Sequence, residues 1–311
     1  PFPGRVRWLE GDEDMRRVRK ERAGLYSEVT KRIIAELEDG RLPWVQPWDR
    51  AACGCTMPHN AGTLRSYSGI NVLILWAEVV TEGYASQRWL TYRQAEAAGG
   101  NVRRGERGTV ICYADRFTPK AEVEAAKADD RAARRVAFLK RFVVFNVDQC
   151  EGLPADYTAS MASPEPVVAV AEADRLIAAC GARVQIGGDE AFYSPPHDFV
   201  QVPPQAAFHQ PIDWYRTALH ELGHWTGHPS RLDRNQSGGF GSESYAKEEL
   251  VAEMAAAFTC ASLGITPTVR HSDYIASWLS VLRDDERAIF RAASLASKAS
   301  DYLLALAGDA P

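Results

Sequence analysis

Residues 220–228 read HELGHWTGH, and a short way along the chain residues 248–253 read EELVAE. The first stretch fits the pattern H-E-x-x-H through His220, Glu221 and His224. On a helix, positions i and i+4 share a face with Cβ atoms about 6 Å apart. Two imidazoles placed so can converge on one divalent ion at about 2.0–2.1 Å. Glu221 falls about 100° round the helix from His220, where it can reach a water at the ion and serve as general base without ligating. A chain with this pair must pack a further donor against that helix.

His228 is the nearest histidine, but Gly227 and Pro229 predict that the helix has ended there. We read it as a supporting residue. The acidic alternatives lie on a predicted helix over 244–262, where Glu249 and Glu253 are i and i+4 among small apolar neighbours. Glu249 is read as ligand and Glu253 as the acid that orients a ligand histidine, with the reverse left open. Glu248 is expected to face solvent. Tyr245, one turn before Glu249, is a candidate oxyanion donor or a core tyrosine. Zinc suits this N/N/O set; manganese and cobalt remain open.

Around the motif, helical patterns are predicted over 13–39, 167–180, 211–227, 271–283 and 285–306. GINVLILWAEVVTEG predicts a helix ending at Gly83, and SQRWLTYRQAEAAGG a second one with Ser86 as cap. NVRRGERGTVICYADRF and AFLKRFVVFNVDQCEGL read as strands, and ARVQIGGDEAFYSPPHDFVQVP as a small antiparallel sheet. Residues 119–135 are charged and Ala-rich, a solvated helix or an insertion. The small, polar, Pro-bearing stretch 154–166 predicts a linker between domains 1–153 and 167–311, an α+β chain.

The two parts differ in charge. Residues 1–150 hold 25 basic and 20 acidic side chains, whereas 151–311 hold 11 and 21. The basic part is the one suited to a polyanion. It also interleaves aromatic and cationic residues: Trp44, Trp48, Tyr67 and Tyr92 with Arg65, Arg88, Arg103, Arg104 and Arg107. Such mixtures serve single strands, with bases stacked on rings and phosphates held by cations. LRSYSGIN, ending at Asn71, and the Gly-punctuated VRRGERGT suit close approach to a backbone, while Trp76 and Trp89 are assigned to the core. No apolar run long enough for a membrane helix is present, the N-terminal segment has no signal-peptide pattern, and six scattered cysteines fit a reducing, cytoplasmic setting. Cys53-Gly-Cys55 lacks the second pair that a zinc site would need.

In order along the chain, YSGINVLILW, GERGTVICYADRF, FVVFNVDQCEGLP, AFYSPPHDFVQVPPQAAF and LHELGHWTGHPSRLDR…YAKEELVAEMAAAF resemble the ArdC-type antirestriction proteins. They also resemble the C-terminal part of plasmid TraC-type primases. The resemblance implies an N-terminal single-stranded-DNA-binding domain and a C-terminal zincin-like, gluzincin-type metallopeptidase domain. It further implies an association with conjugative plasmids and protection of incoming DNA from host restriction. The peptide or protein substrate is not implied. Two other readings stand beside it: a DNA-coating protein with a structural metal, and a protease that cleaves a regulatory protein in response to DNA.

Overall fold

The structure, a computed structural model, describes residues 24–45, 53–118, 136–158, 166–239, 241–268 and 274–308, with a few single positions between 118 and 136. The expectations for 13–23, Trp48, most of 119–135, 159–165 and 271–273 fall outside the described residues.

The N-terminal half opens with helix α1 over 24–38. Strand β1 (His59–Asn60), helix α2 (Ile70–Glu82), strand β2 (Arg88–Leu90) and helix α3 (Tyr92–Ala97) follow, then β3 (Asn101–Val102), β4 (Thr109–Phe117), β5 (Val136–Asn146), β6 (Cys150–Glu151) and a short helix α4 (Ala155–Thr158). Four strands form one sheet in the order β1-β2-β5-β4. The β4–β5 pair is antiparallel from Thr109↔Val144 to Phe117↔Val136. Helix α2 is apolar nearly all round, with eight buried residues, as befits a helix enclosed on several sides. Gly83 stops it at φ 70°, a left-handed cap that glycine adopts without strain.

The SQRWLTYRQ stretch is not one helix. Trp89 and Leu90 are fully buried on β2, which pairs with β1 on one side and β5 on the other. The helix begins only at Tyr92, capped by Thr91 in a reciprocal box with Gln94. Tertiary pairing thus overrides local helical pattern. Strand β4 is an edge, and the Asn71 side chain serves it as a surrogate neighbour: Cys112 N donates to Asn71 Oδ1 and Asn71 Nδ2 donates to Cys112 O, both at 2.8 Å.

The C-terminal half contains helix α5 (Pro166–Ala179), strands β7 (Arg183–Ile186), β8 (Phe192–Ser194) and β9 (Phe199–Val202), and helices α6 (Pro211–Trp225), α7 (Glu243–Ser262), α8 (Ile275–Asp284) and α9 (Ala288–Leu306). Its sheet has the order β7-β9-β8. β8 and β9 are antiparallel as expected, while β7 joins β9 in parallel, since the chain crosses over from β7 through β8 before returning. Helix α7 is the centre of this half, with every residue from Glu248 to Ala261 buried. No helix among the described residues is long and apolar enough to cross a membrane.

One hydrophobic core runs through both halves, from Leu25, Trp44 and Trp76 to Met254, Phe258, Trp278 and Ala293. Trp76 meets Phe258 edge-on at 5.7 Å, Trp44 meets Trp278 at 5.3 Å, and Tyr26 meets Phe290 at 4.6 Å. Gly69 N donates to Ser297 Oγ at 2.8 Å, and Thr30 Oγ1 donates to Glu286 O at 2.6 Å. Cutting Trp76 to alanine is therefore expected to destabilise both halves together, by about 3–5 kcal/mol. Chemical denaturation followed by tryptophan fluorescence and by circular dichroism should give one coincident transition at lower denaturant. Two separated transitions in the parent chain would contradict the shared core.

Candidate metal centre and nucleic-acid surface

Helices α6 and α7 approach closely because small residues face each other. A Cβ at Gly223 would lie 3.4 Å from the backbone of Ala252. His220 and His224 project from α6 toward α7 with ring centroids 4.9 Å apart at 82°. Glu249 faces both: its Oε2 lies 3.5 Å from His220 Nε2 and its Oε1 3.5 Å from His224 Nε2. One donor atom from each of the three lies within 4.8 Å of the others, the one such group among the described residues. Glu253 is outside this group. Its Oε1 lies 3.8 Å from His220 Nδ1, the far edge of the ring. Glu221 is buried on α6 beside His220.

Glu248 is not solvent-facing. It is 8 % exposed, and its Oε1 lies 3.3 Å from His224 Nδ1. Arg234 and Gln236, from the loop after α6, donate to it at 2.7–3.2 Å. Sequence spacing carries no sign of these two residues. Tyr245 lies against Tyr274, hydroxyl to hydroxyl at 3.1 Å, and burial first, then Tyr274 and the charge of Glu249, push its phenol well up. His228 stands apart, its Nδ1 2.7 Å from Ser230 Oγ.

Burial alone would lower the His224 pKa, but hydrogen bonds to Glu248 and Glu249, and their charges, push it up to about 10. Burial would raise Glu249, yet contacts with His220 and His224 hold its carboxyl well below the usual range. Glu248 is likewise lowered against its burial, by His224 and Arg234. Two imidazole Nε2 atoms and one carboxylate, with carboxylates behind both rings, make a donor set that fits a divalent transition ion. His220, His224 and Glu249 are the residues able to hold it.

The ten proposed DNA contacts separate into groups. Trp44 is 0 % exposed in the shared core and has no face to offer a base. Asn71 spends both amide atoms on Cys112. Arg88 is buried, with Nη1 donating to Asp156 O. Tyr67 is half-buried against the core. Trp48 lies outside the described residues. Arg65 is exposed on the loop before α2.

Tyr92, Arg103, Arg104 and Arg107 do lie at the surface. Tyr92 meets Phe145 at 6.4 Å, ring to ring. The Arg107-Gly108 backbone passes so near Phe145 and Val143 that a Cβ at Gly108 would lie 2.3 Å from Val143 Cγ1. Gln149 Nε2 clamps the basic turn by donating to Arg107 O at 2.9 Å and to Glu106 Oε2 at 3.0 Å. Sequence reasoning missed Phe145 and Val143, and also the exposed pair Tyr113 and Phe142 at 5.5 Å. The run KRFVVFN advertises a strand without telling which of its apolar residues face outward.

Residues 23–145 match the family model described as the N-terminal domain of anti-restriction factor ArdC, and residues 171–295 match the zincin-like metallopeptidase model. DNA primase TraC of Escherichia coli is 41% identical over 295 residues, which span 90% of this chain and 27% of the primase. The uncharacterized protein y4eC of Sinorhizobium fredii is 40% identical, with 92% and 93% of the two chains covered. The metal-free crystal structure of antirestriction protein ArdC from plasmid R388 superposes with a TM-score of 0.76 at 38% identity, covering 92% and 99%. Its Mn(II)-bound structure gives 0.75 at 39% identity, covering 92% and 98%.

The His224 shift has a consequence for pH. Its folded value of about 10 exceeds the ordinary 6.5, so the metal-free protein gains stability that is complete below pH 6.5 and is lost as pH rises through about 10. An ion held by His224 would have to displace that proton, so its affinity should rise with pH across the same window, by up to about tenfold per unit. Denaturation midpoints of the metal-free protein and metal titrations at pH 6.5, 8 and 9.5 check both signs. Affinity independent of pH between 6.5 and 9.5 would contradict the raised value of His224.

Proposed function

Since the chain belongs to the ArdC antirestriction family, we propose that it binds single-stranded DNA with residues 1–153 and cleaves peptide bonds with residues 167–311, protecting incoming plasmid DNA in the cytoplasm from restriction. The observation that carries the enzymatic part is the convergence of His220, His224 and Glu249 beside a buried Glu221. Zinc is the ion we assign, and the Mn(II)-bound structure of the R388 relative supports a divalent ion in this family. Such an ion supplies Lewis acidity to polarise a carbonyl and to acidify water. Glu221 then takes the proton of the attacking water and passes it to the leaving amine. Tyr245, beside Glu249, donates to the oxygen on which charge develops. Glu249 is the third ligand in this reading, and Glu253 orients His220.

A structural metal is disfavoured by the packing of α6 on α7, which lie so close that an added Cβ at Gly223 would touch Ala252 and Ala255. The DNA-responsive reading keeps one favourable observation: Trp76 of the N-terminal half touches Phe258 of the helix that carries Glu249.

The DNA surface we assign is the patch of Tyr92, Phe145, Arg103, Arg104 and Arg107. Tyr92→Ala should weaken binding to unstructured oligonucleotides by about 1–3 kcal/mol, and Arg104→Ala with Arg107→Ala should flatten the salt dependence. Fluorescence anisotropy at several salt concentrations measures both. Equal affinity for duplex and single strands would sink this half of the proposal. Glu221→Gln should keep metal and DNA binding while lowering hydrolysis by about 10²–10⁴-fold, read from protein termini that vanish in cells carrying the variant. Antirestriction that survives Glu221→Gln unchanged would leave the peptidase without a part in it.

A further inference from the structure

Glu248 and Glu249 are consecutive on α7, and both reach His224, from opposite edges of its ring. Glu249 Oε1 is 3.5 Å from Nε2, and Glu248 Oε1 is 3.3 Å from Nδ1. We propose that Glu248 is a positioning residue for the metal centre, and that Arg234 holds it to that task and out of the ligand set. The proposal rests on the metal-binding reading above.

A carboxylate next to a metal ligand has two other courses open to it. A mobile Glu248 could swing toward the ion as a second carboxylate, hardening the donor set toward oxygen-preferring ions. It could also leave Nδ1 of His224 without an acceptor and free the ring to turn. Arg234 closes off both. Its Nε donates to Glu248 Oε2 at 3.1 Å and its Nη2 to Glu248 Oε1 at 2.7 Å, a two-pronged grip. The same guanidinium reaches back to α6: Nη1 donates to Thr226 Oγ1 at 2.7 Å and Nη2 to Gly223 O at 2.6 Å. Gln236 completes the clamp, donating to His224 O at 2.6 Å and to Glu248 Oε1 at 3.2 Å. Glu248 is thus held by Arg234 through both oxygens, with Oε1 turned to His224 Nδ1. A proton held there leaves Nε2 as the donor atom toward the ion.

The residue types fit this role better than a role in stability. Arg234 is 7 % exposed and Glu248 8 %. Removing two charges from water is costly, and apolar residues of similar volume often fold as well or better. Lysine could match the charge of Arg234 but not its planar fork of donors. What the pair supplies beyond packing is the fixed orientation of one imidazole.

The test compares the full chain with Arg234→Lys and with the double variant Arg234→Met, Glu248→Met. Zn²⁺ and Mn²⁺ affinities are measured by chelator competition, Co²⁺ coordination by visible absorption, and metal-free stability by thermal unfolding. We expect both variants to lose about 10–100-fold in Zn²⁺ affinity and to shift the Co²⁺ bands, while the metal-free double variant melts within a few degrees of the parent. In Arg234→Lys, with Glu248 released, Mn²⁺ affinity should fall less than Zn²⁺ affinity. Parental affinities and an unchanged Co²⁺ spectrum in the double variant would overturn the proposal. If the double variant does not fold, unchanged metal binding by Arg234→Lys overturns it. A parent chain that binds none of these ions would instead overturn the metal-binding reading, and this proposal with it.

Discussion

The close approach of α6 and α7 at Gly223 and Ala252, where an added Cβ would already be in contact, sets the scale of the site. Because α6 bears no side chain there and α7 bears only a methyl, the two helices come near enough for His220, His224 and Glu249 to share one small volume. A methyl at Gly223 would just touch Ala252 and Ala255, so a side chain longer than alanine has no room between the helices. Glu249 spans both Nε2 atoms at 3.5 Å across this narrow gap. The chemistry therefore depends first on close packing and only then on the identity of the donors.

Helix α7 is shared property. Its middle carries the three glutamates, and Phe258, further along, enters the core that the N-terminal half also builds. Trp278 of α8 joins in through Trp44 and through its indole N–H, which donates to Ala246 O at 3.1 Å. The N-terminal half and the half that carries the candidate metal centre are thus parts of one packed interior. Helix α2 meets the helix that holds Glu249 through the contact of Trp76 with Phe258.

The sequence disclosed those features whose partners are local. His220, Glu221 and His224 are spaced by the helical period itself, and Glu249 lies on a helix whose small neighbours announce burial. Glu248 was misread because its fate depends on Arg234 and Gln236, and the path of the 227–239 loop leaves no periodic trace. Trp44 was misread for a related reason. Between prolines it resembles an exposed loop tryptophan, and its partner Trp278 lies almost at the other end of the chain. Strand β2 has three residues, too few to show a period of two, so its helical neighbours dominated the pattern. The turn at 103–107 was legible as a basic, Gly-rich segment, but Phe145 and Val143 reach it only through the register of β5 on β2 and β4.

Asn71 serves the edge of the sheet. An open strand edge invites pairing by any extended segment, including a second copy of the same strand. By answering both backbone groups of Cys112, Asn71 stoppers the β4 edge midway along its length. One amide in a helix's first turn thus occupies the two backbone groups at which a neighbouring strand could start to pair.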